Sequence, residues 1–308
     1  MDAIAKTDLH IHLGGSWPMS FLESIGTQEE IADLKSFLQD IELKSNTDYH
    51  SCFNVFALSA KIVNNNDRIQ AGTVALCQTM AAQGVTYSEI RTSLKDFGSG
   101  LEDYLLAVLS GVREGCNGTA LVVKIIVSLK RSSPEVIANE TIRLLLKYRS
   151  EGVVGLDISD NALVGDGSGI KGVLDEIHRH KIPVTLHLGE CSEETDEQQI
   201  AELECLQPAR IGHGVFLCDK AKEWIFERRI PIEMCLSSAL MAHMVESMGD
   251  HPALELLRNG YPVAICTDDP LVFGTDHIRE NQIAMELLNY SVDQVAEVHR
   301  RSLEYKFV

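Results

Sequence analysis

Basic residues are scarce in this sequence: Lys and Arg number 27 against 45 Asp and Glu, a formal net charge of −18. A field of that sign repels phosphate backbones and anionic lipid surfaces, so nucleic acid and membranes are not expected partners, although a local patch can still hold a small anion. Long hydrophobic runs are also missing. No uninterrupted apolar stretch reaches the ~20 residues that a membrane helix needs. The opening MDAIAKTDLHIHLGG lacks the charged-then-apolar pattern of a secretory leader, so a cytoplasmic protein is expected. Paired cysteines are absent: the eight, at positions 52, 77, 116, 191, 205, 218, 235 and 266, form no CxxC, which points to reduced thiols rather than a disulfide framework or a thiolate zinc site. No internal repeat, Pro/Gly/Ser linker or charge block divides the chain, so one domain is expected over residues 1–308.

What the sequence does have is alternation. Short β-branched runs at 7–12, 85–91, 120–127, 153–158, 183–187, 210–212, 231–235 and 263–267 are separated by stretches of helical period, such as 68–83 and 134–149. Eight strand-then-helix units predict a (β/α)8 barrel, an α/β fold of the TIM type. A doubly wound sheet fits less well, because its first strand often runs into a glycine-rich phosphate loop and here it ends in histidines. Residues 17–61 are long for a loop and include a helical stretch at 53–63, so they are expected to cover the barrel's open end.

In such barrels the reactive groups gather at the C-terminal ends of the strands. His10 and His12 lie two apart on the first strand and so share a face; His187 ends the fifth, His213 follows the sixth, and Asp268 and Asp269 follow the eighth. Three imidazoles and a carboxylate suit one Zn2+ with a position left for water, whose pKa falls from 15.7 to about 7 there. Glu190, three residues past His187, reads equally as a proton shuttle facing that water or as one more solvated acid in a stretch with Glu193, Glu194, Asp196 and Glu197. The two aspartates read as a metal ligand beside a substrate contact, or as a helix cap. Asp157 in GLDIS occupies the place where two-metal hydrolases of this architecture often carry a bridging lysine, which favours a single metal. His50, His178, His180, His243, His251, His277 and His299 lie away from strand ends and are expected to be structural.

The segments TDLHIHLGGS, VTYSEIRTS, GVVGLDIS, VTLHLGE, RIGHG, IEMCLSS and VAICTDDPLVF, in this order, resemble the adenosine deaminase family almost end to end. The resemblance implies that His10, His12, His187 and Asp268 bind one Zn2+ per chain. It likewise implies that Glu190 shuttles protons, that His213 orients and helps deprotonate the attacking water, and that Asp269 contacts substrate. The implied reaction is hydrolytic deamination of a 6-aminopurine, with Glu190 protonating the ring nitrogen next to the reacting carbon.

Departures from the family pattern bear on the substrate. HLGE stands for the commoner HAGE and CLSSA for CPxSN, while Asp160 takes the place of a glycine whose amide contacts the purine in relatives. His12, Asp160, Gly189 and Asp269 are the expected substrate contacts. Several motifs are closer to the adenosine deaminase-like branch acting on N-methylated AMP, and Arg91, Thr92, Ser93 and Lys95 form a candidate 5'-phosphate cluster, unless Arg91 instead pairs with Glu89 or Asp157. The expected substrate is by default adenosine, converted to inosine and ammonia. An N-alkylated AMP ranks second, a modified adenosine of the aminofutalosine type is a further alternative, and a catalytically inactive purine-binding barrel is the alternative from another class.

Overall fold

The strands are buried on both faces, as strands of a parallel sheet covered by helices are. The computed structural model describes residues 4–43, 49–159, 163–165 and 167–308, with the side chains at 40–43 and 49–53 outside that description. Its eight strands are β1 (Lys6–His12), β2 (Val85–Ser93), β3 (Val122–Lys130), β4 (Val153–Ser159), β5 (Val184–Leu188), β6 (Arg210–His213), β7 (Ile232–Met234) and β8 (Val263–Ile265). They pair in parallel in chain order. An Ile11 to Asp268 bridge joins the ends of the ring: the His12 amide donates to the Asp268 carbonyl at 2.9 Å and the Asp268 amide to the His10 carbonyl at 2.8 Å. This is the (β/α)8 barrel that the alternation predicts.

Boundaries move where local hydrogen bonds outbid apolar pattern. β3 starts at Val122 and not at 120, because the Thr119 hydroxyl accepts from the Leu121 amide at 3.1 Å and holds a turn there. Helix Asn66–Ala82 starts behind Asn65, whose side chain accepts from the Arg68 amide. Helix Glu135–Lys147 is followed by a short turn that ends on Gly152 at φ 108, a left-handed position that suits glycine. The insertion forms helices Met19–Ile25, Gln28–Leu43 and Tyr49–Ile62, and Phe56 and Ala57 of the last one line the cavity at the strand ends. No described helix is long and apolar enough to cross a membrane, and the seven described cysteines form no disulfide.

The barrel interior is ionic beneath the site. Arg91 donates to Glu233 Oε2 at 2.8 Å and to Asp157 Oδ1 at 3.1 Å, while Arg210 donates to Glu233 Oε1 and to Glu89 Oε2, both at 2.6 Å. All five side chains are wholly buried. At the far end Phe307 lies 3.7 Å from the Arg210 guanidinium, and its amide donates to Glu89 Oε1 at 2.7 Å. Paired charges, each with a partner inside the barrel, stand where many barrels of this type stack branched aliphatic side chains.

Candidate active site and family

β1 carries His10 and His12 on one face, and two carboxylates hold the His10 ring. Its Nδ1 is 2.7 Å from Glu233 Oε2 and its Nε2 is 3.2 Å from Asp268 Oδ1. Burial and the Arg91 charge oppose protonation of His10, yet hydrogen bonds to Asp268 and Glu233 outweigh them and raise its pKa to about 9. His187, at the end of β5, turns Nδ1 to Asp157 Oδ1 at 3.0 Å and presents Nε2 to His12 Nε2 at 3.1 Å. His12 Nε2 lies 3.4 Å from Asp268 Oδ1, and the Ser238 hydroxyl donates to Asp268 Oδ2 at 2.6 Å. One ligand atom from each of His10, His12, His187 and Asp268 thus falls within 4.8 Å of the others.

The donor set fits a metal ion on chemical grounds, with His10, protonated between its two carboxylates, giving up its Nε2 proton when it ligates. Burial lowers the pKa of His12 and of His187, which keeps both imidazoles neutral, the form that ligates. Asp268 is anionic despite its burial, held so by its hydrogen bond to His10 and the surrounding histidines. A carboxylate behind each of His10 and His187 fixes which nitrogen faces inward, as metal-binding histidines require. Asp268 reaches its place only in the left-handed region, at φ 61, and His213 does the same at φ 64. For residues with a Cβ such conformations cost on the order of 1–3 kcal/mol, strain that tends to gather where function needs it.

Around this group lie three further titratable residues, His213, Glu190 and Asp269. His213, whose two ring nitrogens have no hydrogen-bond partner, brings Nε2 to 3.6 Å from Glu190 Oε1. Burial, with the Asp268 and Glu190 charges, raises the pKa of Asp269 well above the carboxylate range. There is no room for a side chain at Gly15, since a Cβ there would stand 1.8 Å from Asp269 Oδ1; the GG of HLGGS lets the backbone pass. Glu190, Asp268 and Asp269 open onto a cavity of about 440 Å³.

A family model described as Adenosine deaminase matches residues 5–308. The chain belongs to the adenosine deaminase family. It is similar to the N6-Methyl-AMP deaminase-L of Xenopus laevis, 28% identical over 99% of this chain and 89% of that protein. The crystal structure of arabidopsis N6-mAMP deaminase superposes with a TM-score of 0.90 at 27% identity, covering 100% of this chain and 94% of that one. Arabidopsis ADAL complexed with IMP superposes at 0.89 with 27% identity, over 100% of this chain and 93% of that one. The protein is a hydrolytic deaminase.

Two expected substrate contacts of the deaminase are corrected by its geometry. Arg91 is wholly buried, and its terminal nitrogens donate to Asp157, Glu233 and the Leu9 carbonyl, so it belongs to the barrel's ionic interior and not to a phosphate cluster. The Gly189 amide donates to Glu194 Oε2 at 2.9 Å and is therefore not offered to a purine. Thr92, Ser93 and Lys95 line the cavity, and Thr92 shares a 2.7 Å hydrogen bond with the Tyr104 hydroxyl. Asp160 lies outside the described residues. Of the histidines read as structural, His277 lies 2.9 Å from Asp8, His299 bonds the Thr7 amide and His251 caps Ala253. Sequence reasoning missed Glu233, Arg210, Ser238 and Lys130, the last a second lysine on the cavity wall. The available signal was a charged residue at an inward position of an apolar strand, as in IEM, ARIGH and SEIRTS.

Proposed function

We propose that this deaminase hydrolyses an N6-alkylated adenine mononucleotide, of which N6-methyl-AMP is the simplest, to IMP and an alkylamine. The carrying observation is a pair of lysines in one cavity. Lys95, just beyond β2, and Lys130, at the end of β3, both line it; burial and then the Lys130 charge lower the pKa of Lys95. Two like charges brought together in a protein of net charge −18 suit a phosphate dianion. Adenosine, the default expectation, gives those lysines no anionic group to contact. Phe56, Ala242, Met244 and Phe273 add apolar wall for a purine and a small alkyl group. Names and titles of relatives, N6-Methyl-AMP deaminases and an IMP complex, support the same substrate class.

In this reading His10, His12, His187 and Asp268 would hold one Zn2+, which would lower the pKa of a bound water toward neutrality. His213 would accept a hydrogen bond from the attacking water, orient it toward the amino-bearing carbon and take one of its protons. Glu190, starting as the carboxylic acid, would donate its proton to the adjacent ring nitrogen and regain one from the added hydroxyl as the C–N bond breaks, while the proton held by His213 leaves with the amine. Asp269, with its raised pKa, holds a proton that it can donate to another ring nitrogen.

Two measurements test the reading. Lys95→Ala is expected to raise KM for N6-methyl-AMP about 10-fold while its kcat stays near the wild-type value, an effect that shrinks as salt screens the charge. Equal activity of wild type and variant on the monophosphate overturns the phosphate assignment, and a wild type that consumes adenosine but not AMP compounds overturns the substrate class. Elemental analysis is expected to find one zinc per chain, lost when His10→Ala and His12→Ala are combined. Two metals per chain, or unchanged content in that variant, overturns the ligand set.

A further inference from the structure

The turn that carries Glu190 is built on another carboxylate. After β5 the chain reverses at Gly189 in the left-handed region, φ 64, and starts helix Asp196–Leu206 six residues past Glu190 behind a Thr195 to Gln198 capping box. Inside the reversal Glu194 folds back beneath it. Its Oε2 accepts from the Gly189 amide at 2.9 Å, and its Oε1 accepts from the Glu190 and Cys191 amides at 3.0 and 3.2 Å. Three consecutive N–H groups thus converge on one side chain, while the Glu194 amide donates back to the Cys191 carbonyl at 3.2 Å.

Its acidic neighbours along the turn face outward. Asp196 and Glu197 are exposed, and Glu193, also exposed, accepts from the Cys191 thiol and the Ser192 hydroxyl. From the other side, the Val215 and Phe216 amides donate to the Gly189 carbonyl at 3.0 and 2.8 Å, and a Cβ at Gly189 would meet that same backbone at 3.0 Å. The turn is gripped between Glu194 and the 215–216 backbone. The Glu190 side chain extends from the centre of this grip.

We propose that Glu194 is a positioning residue for the reaction: by accepting the three amides of residues 189–191 it fixes the Glu190 carboxyl at the distance and angle proton transfer needs. His187, two residues upstream of the turn, does not depend on it, because β5 pairs with β6 in register, His187 against Gly212. The metal group therefore stands without Glu194, while the proton donor does not. A displacement of about 1 Å at a reacting group can lower turnover about 100-fold.

The inference rests on the proton-transfer role proposed above for Glu190, and a double-mutant cycle separates the two. Glu194→Ala is expected to lower kcat about 10- to 100-fold with KM changed less than about 3-fold, zinc content kept and the far-UV spectrum unchanged. Glu194→Gln keeps one oxygen acceptor and is expected to recover part of the loss; it serves alone if the alanine variant fails to fold. In a Glu190→Gln background, with single turnovers followed at high enzyme concentration, either Glu194 substitution is expected to cause no further loss. Full kcat in both single variants overturns the proposal, as does a loss that multiplies with that of Glu190→Gln. If Glu190→Gln alone is as active as wild type, the proton-transfer reading fails first.

Discussion

Glu190→Gln is expected to lower turnover about 100- to 10,000-fold, the usual contribution of a positioned acid or base, with zinc content and melting temperature unchanged. Glutamine preserves the shape and the amide framework of the turn but has no carboxylic proton to give. The contact with His213, 3.6 Å from Glu190 Oε1, can persist through the amide, so the loss reports chemistry and not collapse of the pocket. Turnover of N6-methyl-AMP followed in the ultraviolet, together with elemental analysis of the same sample, decides the matter. Near-native turnover would remove Glu190 from the mechanism.

The largest expected effect on stability belongs to Arg91. Burial opposes its charge, yet Glu233 and Asp157 hold the guanidinium firmly protonated. Glu233 also lies against His10, so Arg91→Ala leaves two buried carboxylates short of compensation directly under the metal group. Removing one partner of a buried ion pair typically destabilises by about 3–5 kcal/mol. Denaturant unfolding at neutral pH measures it, and a change under about 1 kcal/mol would contradict the argument. Both carboxylates titrate below their ordinary values in the folded state, Glu233 held down against its burial by Arg91 and Arg210 and Asp157 by His187 and Arg91. The stabilisation is accordingly present above the ordinary carboxylate range near pH 4 and fades as pH falls below it.

Much of this barrel could be read from its sequence, because parallel strands and covering helices follow from local periodicity. The HxH pair, His187 and Asp268 were legible for the same reason: each lies at a strand end, and strand ends in this fold converge. For Arg91 the sequence leaves a phosphate contact and a barrel ion pair open, and the structure shows the second, with Asp157 as one partner; spacing cannot decide it, because that depends on Asp157 and Glu233, 66 and 142 residues further on. Glu233 and Arg210 were missed because a single charge in a short strand reads as a solvated position unless its partner is known. Glu194 sat among acids that look alike in sequence and differ only in where the backbone turns.

The ring's closure also sets an order of assembly. His10 finds Glu233 across 223 positions of sequence, and Glu89 receives the Phe307 amide across 218. During synthesis β1 and β2 leave the ribosome with their charged side chains facing partners that have not yet been made. Contacts of such sequence separation form slowly, since loop closure must precede their reward. His10, His12, His187 and Asp268 come together only when the chain after β8 pairs with β1 through the Ile11 to Asp268 bridge, so this cluster marks completion of the fold and not an early step toward it.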